Sequence, residues 1–331
     1  CGVIAPQSGA STVVLSVDEA AAQGDLDELV RHVDRLCSTR DWDELVRLRD
    51  KAKAAIERGH QLWPAASWAE YRLALEAPGE WAAFFHDVAT TEIYALPLHE
   101  VAASTHEWDE LAPHAPGGAP TALAAHERIV RGEDLTGRMD GLPDLFELPP
   151  VLQPWEPAYA LAVYHPDKAD FPAPDRPEPL ATLFGDPAPR VEDPTVITAL
   201  VDVARTWMAE SNGRVETVAV EGDAYGAVAA LGLAVEITTA DAMAHMAWAA
   251  ASGGAHGRRR GTATGRARTW WALTTLTGLD GHDEVDPDEL GTAANELTWL
   301  WWDANEPETG WNLHLAVEDT IDGLARALSA Q

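Results

Sequence analysis

Basic residues are scarce. The 331-residue chain sets 23 Lys and Arg against 54 Asp and Glu, a formal net charge of −31, and its lysines are Lys51, Lys53 and Lys168. Negative charge on this scale repels nucleic-acid phosphates and anionic membrane surfaces, and favours basic or cationic partners. The acids are scattered over helix surfaces rather than run together, which argues against DNA mimicry. Cysteine is nearly absent. Cys1 and Cys37 alone make neither a disulfide framework nor a cysteine zinc site. Such usage fits a reducing compartment, and the expectation is a cytoplasmic protein. The alternative is a lipid anchor on Cys1, because Cys-Gly before a Ser/Gly/Ala-rich tract is how a processed lipoprotein begins; no signal-peptide pattern supports export. Long apolar runs are missing as well. Ala242–Ser252 falls short of the roughly 20 residues of a membrane span and reads as a buried helix.

Familiar catalytic signatures are missing too. There is no Gly-x-Ser-x-Gly elbow, no Cys/His dyad and no paired acids at a recognised spacing. Glu221-Gly-Asp-Ala-Tyr-Gly226 follows a candidate strand without the dinucleotide-binding spacing.

What is present begins with helices. Leu26, Leu29, Val30, Val33, Leu36 and Cys37 form one apolar stripe, started by Asp25 with Glu28 in an acidic variant of the capping box. Asp25–Arg31 is echoed by Asp41–Arg47; the 16-residue offset is too short for a two-helix repeat and marks two helices started by one device. The second should end near Gly59, and Pro64 should open a third that Pro78-Gly79 stops. Helices are also expected near Glu80–Thr90, Leu98–Trp108 and Pro120–Arg131.

Thirteen of the 22 prolines lie between Pro143 and Pro194, which excludes continuous helix there. Trp155, Tyr159, Tyr164, Phe171 and Phe184 can dock this connection, and Tyr159–Tyr164 is a candidate strand. Beyond it, Asp193-Pro194 starts a helix expected to reach Glu210. Val215–Val220 alternates as a strand, a short helix spans Tyr225–Leu231, and Ala234–Ile237 is another strand. Thr238 or Thr239 caps the apolar helix to Ala251, and Asp286-Pro287 starts a helix ending before Gly310, with Trp299, Trp301 and Trp302 on it. Trp311–Val317 alternates as a strand, and Thr320–Leu328 reads as a closing helix. The fold expected is mainly α with an α+β part: a helical array over 1–140, a Pro-rich docked connection over 141–192, and an α+β region with a small sheet over 193–331.

Two constellations could carry chemistry. No acid stands between Asp241 and Asp280, and this window holds Gly253, Gly254, His256, Gly257, Arg258, Arg259, Arg260, Gly261, Gly265, Arg266 and Arg268. Glycine lets backbone N–H groups approach an anion, and the guanidinium fork suits phosphate or carboxylate. There is no Gly-Lys-Ser/Thr ending, so this is not a Walker loop. Two readings stay open: a seat for a small anionic ligand, with Trp270 or Trp271 stacking on it, or an internal clasp in which the arginines meet the chain's own carboxylates. The second constellation is His99, Glu100, His106, His126 and Glu127, with His86 and His114 nearby. Imidazoles plus a carboxylate can hold a divalent metal and activate water. The spacing is not His-Glu-x-x-His, and helix-surface residues pairing locally with Arg128 and Arg131 are the favoured reading. His245, in an apolar helix, reads as a core histidine.

The chain resembles an actinobacterial protein family of unknown function. The resemblance is carried by Gln61–Ala66 with Tyr71 and Arg72, Ala125–Leu135, Ser252–Trp271 and Gly310–Glu318. It implies no activity and no site residue. The function expected is therefore a non-catalytic binding or interaction protein, taking a small anionic ligand at residues 253–268 or a protein partner. A metal-dependent hydrolase built on the His/Glu set is the alternative. The sequence leaves oligomeric state open.

Overall fold

A computed structural model describes residues 15–57, 59–83, 97–178, 181–182, 188–228, 233–282, 284–303 and 310–331. Phe184, His86 and Cys1 lie outside them, as does the expected helix beyond Ala83. The chain divides into two compact units, Cys1–Phe84 and Phe85–Gln331.

The first unit is helical: α1 (Val17–Gln23), α2 (Leu26–Thr39), α3 (Trp42–Glu57), α4 (Trp63–Glu76) and α5 (Gly79–Ala82). The apolar stripe of α2 goes inward, with Leu29, Val33, Leu36 and Cys37 packed on Leu45, Leu48 and Ala52 of α3. The shared starting device is real at both helices. Asp25 Oδ1 accepts from Glu28 N at 3.0 Å, and Asp41 Oδ1 from Glu44 N at 3.2 Å. The Glu28 carboxylate does not close a capping box, however; it pairs with Arg31.

The second unit opens with α6 (Leu98–Thr105), α7 (Trp108–Leu111) and α8 (Gly118–Val130). Short strands follow: β1 (Val163–Tyr164), β2 (Ala169–Asp170), β3 (Ala181–Thr182) and β4 (Arg190–Val191). Then come α9 (Pro194–Val203), α10 (Arg205–Ala209), β5 (Val215–Glu221), α11 (Ala224–Ala227), β6 (Leu233–Ile237), α12 (Thr239–Ala251), α13 (Thr262–Leu276), α14 (Pro287–Glu296), β7 (Thr298–Asp303), β8 (Leu313–Asp319) and β9 (Leu324–Ala330). β1 pairs with β2; the other strands form an antiparallel sheet in the order β3-β6-β7-β8-β9-β5-β4. One face packs on the main core, where Trp299, Trp301, Leu315 and Leu328 meet residues of α9, α12, α13 and α14. Trp302, Leu300, Ala316 and Ala327 take the opposite face, against α11. Mainly helical architecture with a C-terminal α+β region thus holds. Among the described residues no helix is long and apolar enough to cross a membrane.

Several expected elements differ. The helix from Asp286 stops at Glu296, and Thr298–Asp303 is a strand paired with both β6 and β7's other neighbour β8. Its tryptophans therefore point to the two faces with a period of two, and aromatic side chains suit a pleated surface better than a helix. The expected closing helix is the strand β9. Gly323 at φ 71° turns the chain, and β9 lies between β8 and β5. A strand buried on both faces loses the alternation that marks a strand in sequence. The helix after Asp193 breaks at Ala204 into α9 and α10. Of Tyr159–Tyr164 only Val163–Tyr164 is strand, and α11 ends at Ala227.

Candidate functional site

The Gly/Arg segment joins α12 to α13. Ser252 ends α12, and the chain turns tightly through Gly253–Gly257, where Gly257 N donates to Gly253 O at 3.0 Å. A Cβ on Gly253 would overlap the Gly257 backbone, so glycine here serves the turn itself. Gly254 lies over the Trp207 ring, and Gly265 lets α13 approach Ala247 O of α12. Gly261, at φ 95° and ψ 153°, is the N-cap of α13 and has no side chain to cap it. A Cβ there would overlap Glu127 Oε1 and sit 3.4 Å from His99 Nε2.

The missing cap is supplied from α6 and α8. Glu100 Oε1 accepts from Thr262 N at 3.2 Å and from Thr262 Oγ1 at 3.1 Å; Glu127 Oε1 accepts from Ala263 N at 2.8 Å. A helix N-terminus presents unsatisfied N–H groups and positive potential, so buried carboxylates are stabilised there. Arg259 completes the arrangement. Its Nε and Nη2 each meet a Glu100 oxygen at 2.7 Å, and Tyr164 OH donates to Glu100 Oε2 at 2.7 Å. Arg131 Nη1 donates to Glu127 Oε2 at 2.9 Å. The two constellations read separately in the sequence thus meet in one place: the Glu100 carboxylate is held by Arg259 and Thr262, and the Glu127 carboxyl group by Arg131 and Ala263 N at the start of α13.

Arg266 is engaged in the same manner. It forks onto Glu156 with two 2.8 Å bonds and donates to the carbonyls of Pro149 and Val151, each at 3.1 Å. Glu156 also accepts from Trp270 Nε1 and Tyr159 OH. Trp155 packs against Trp270, its ring filling the space above Gly291. Arg260 pairs with Glu210 and Arg268 with Asp202 at the surface. Arg258 is exposed and makes no ion pair among the described residues. His256 is exposed, its N–H on Ser211 Oγ at 3.2 Å.

Burial opposes ionisation of Glu100, but Arg259 and the Tyr164 hydroxyl outweigh it and hold the carboxyl at about 2. Burial and the adjacent Glu100 charge push Glu127 up to about 8. The two carboxylates therefore ionise in separate pH ranges. Burial lowers His99 to about 4, and burial with the Arg266 charge lowers His126 to about 4, so both rings are neutral at pH 7. His99 Nε2 and His126 Nδ1 are buried without a hydrogen-bond partner. His126 packs edge-on to Phe146, while His106 Nδ1 lies 2.9 Å from its own helix's Ala102 O. His114 is exposed. Among the described residues, no three His, Cys, Asp or Glu side chains are grouped to hold a metal ion. His245 is buried beside Trp301, with ring centroids 4.5 Å apart.

Space for a ligand lies beside the Gly253–Gly257 turn. A cavity of about 400 Å³ is lined by Trp207, Ser211, Asn212, Arg214, His256 and Trp311, among others. A second, of about 150 Å³, is lined by Phe171, Trp248, Arg259, Trp311 and the turn itself. Gly254 and Trp311 border both. Trp311 stacks on Trp248, with centroids 5.4 Å apart and planes at 12°, and meets Trp207 edge-on. Trp270 serves Glu156 instead, and Trp271 is exposed on α13 away from these linings. Sequence reading missed Trp311, Trp248 and Arg214. Trp311 falls in the quoted Gly310–Glu318 stretch, but only the sheet brings it to the turn.

The chain belongs to a family of unknown function, DUF6183, whose model matches residues 27–321. It matches no curated protein and no solved structure.

Proposed function

We propose that the protein is a non-catalytic binding protein that takes a small anionic ligand in the paired cavities beside the Gly253–Gly257 turn. The observation that carries this reading is the joint border of the two cavities at Gly254 and Trp311. Their combined space suits a small molecule, and aromatic walls with a few polar groups are the usual make-up of such sites. The donors for an anion are those the internal clasp leaves unused. Arg259 spends Nε and Nη2 on Glu100, with Nη2 also reaching Thr262, while Nη1 has no partner among the described residues. Arg258 and His256 stand on the exposed part of the turn.

The clasp itself supports a holding role rather than chemistry. Glu100, Glu127 and Glu156 are buried, and each is engaged by an arginine. None of them lines either cavity. The test is a thermal-shift screen of small carboxylates and phosphate esters on the whole chain and on Trp311→Ala. Stabilisation lost in the variant is the expected result. A screen with no stabilising anion, or one indifferent to Trp311, rejects the reading.

A further inference from the structure

Resting on that reading, we infer that the ligand is a ring-bearing monocarboxylate: the ring lies in the larger cavity against Trp311, and one carboxylate enters the smaller one toward Arg259 Nη1.

Charge decides between one negative charge and two. Of the arginines around the cavities, Arg259 faces Glu100, Arg214 faces Glu216 and Arg260 faces Glu210. Arg258, next to Gly257 of the smaller cavity's lining, donates its backbone N–H to Glu210 Oε2, but its side chain has no ion-pair partner among the described residues. A phosphate dianion would need about two uncompensated cations, and the net charge of −31 opposes it further. One carboxylate matches what is left.

Donors decide its position. The smaller cavity is bordered by Arg259, whose side chain is 8% exposed, and by the indoles of Trp248 and Trp311. Neither indole N–H has a hydrogen-bond partner among the described residues. Phe171 covers the Arg259 guanidinium, its centroid 4.9 Å from Cζ, and borders the same cavity. Three N–H groups without acceptors, on residues that border about 150 Å³, are suited to a carboxylate. The larger cavity carries Trp311 with Ser211, Asn212 and Gln331, an aromatic wall with hydroxyl and amide groups. That wall accepts the face of an aromatic ring or the C–H face of a sugar ring.

Tryptophan-fluorescence titration of the whole chain separates these cases, using phenylacetate, glucuronate, phenylacetamide and phenyl phosphate, with acetate and inorganic phosphate as ring-free anions. The expected result is that phenylacetate or glucuronate binds at least tenfold more tightly than phenylacetamide and phenyl phosphate; which of the two wins names the ring. Arg259→Lys keeps a cation opposite Glu100 but removes the fork, and should weaken the carboxylate at least tenfold. If that variant does not fold, Trp311→Leu carries the test with the same expected loss. Phenyl phosphate binding as tightly as the carboxylates, or phenylacetamide equalling phenylacetate, overturns the inference. Trp311-dependent binding of the ring-free anions alone overturns it too while sparing the anion-binding reading. Failure of all six overturns both the inference and, with the broader screen, the reading it rests on.

Discussion

Glu100 and Arg259, 159 positions apart in the chain, meet fork to fork through two 2.7 Å hydrogen bonds, with the carboxylate closed to solvent. The pair ties α6 to the start of α13, and its Arg259 borders the smaller cavity beside the turn.

Breaking that pair from one side leaves a buried charge unpaired. Glu100→Ala should destabilise the second unit by about 3–5 kcal/mol, because Arg259 then lacks its counter-ion and the Thr262 N–H lacks its cap. Replacing both Glu100 and Arg259 by Met should cost less than Glu100→Ala alone. Denaturant unfolding of the single and double variants measures this, and additive losses would contradict a coupled pair.

The Arg266–Glu156 pair ties down the proline-rich connection, since Arg266 also holds the Pro149 and Val151 carbonyls. Arg266→Met should leave the Pro149 carbonyl without its donor, the Val151 carbonyl with Gln153 Nε2 alone, and Glu156 without its counter-ion. Amide exchange over residues 149–160 is expected to speed up well before global unfolding. Unchanged exchange there would show that the aromatic contacts of Trp155 hold the segment unaided.

Much of this was legible in the sequence, and the remainder was hidden for definite reasons. The α2 stripe, the Asp25, Asp41 and Asp193 starts and the β5 alternation rest on local spacing, and local spacing survives folding. β7 and β9 did not announce themselves, because burial on both faces removes the period of two. The Gly/Arg segment stood out by composition, but its partners Glu100, Glu127 and Glu156 lie 110 to 162 positions away, beyond any spacing rule. The same distance hid that two members of the His/Glu set, Glu100 and Glu127, accept from the first N–H groups of α13.

Acid should destabilise the fold through its buried histidines. His99 and His126 have folded values of about 4, below the ordinary 6.5 of the unfolded chain. The unfolded state therefore binds more protons below 6.5. The stability they contribute is complete above that pH and is lost as pH falls through about 4, about 3 kcal/mol for each ring. Glu100 adds a lower limb, lost from 4.5 down to about 2. Glu127 works oppositely: its contribution is complete below 4.5 and is lost as pH rises through about 8. Unfolding midpoints measured from pH 4 to 8.5 should fall at both ends, and His126→Phe should flatten the acid limb. An acid limb unchanged in that variant would show that His126 does not titrate as its burial implies.

Gly261 tests the carboxylate cap directly, because the chain supplies its own control. Gly117 has a backbone much like that of Gly261, φ 84° and ψ −171° against φ 95° and ψ 153°, but nothing lies within 4 Å of where its Cβ would be. Gly117→Ala therefore reports the conformational cost alone, about 1–3 kcal/mol in this glycine region. Gly261→Ala adds the collision with Glu127 Oε1 and should cost more by about 1–3 kcal/mol, as for other overpacked sites. The excess has a single source, so it should shrink when Glu127 is already alanine. Equal losses at the two glycines, or an excess that survives Glu127→Ala, would mean that Glu127 does not occupy the space over the start of α13. The cap would then rest on Glu100 alone.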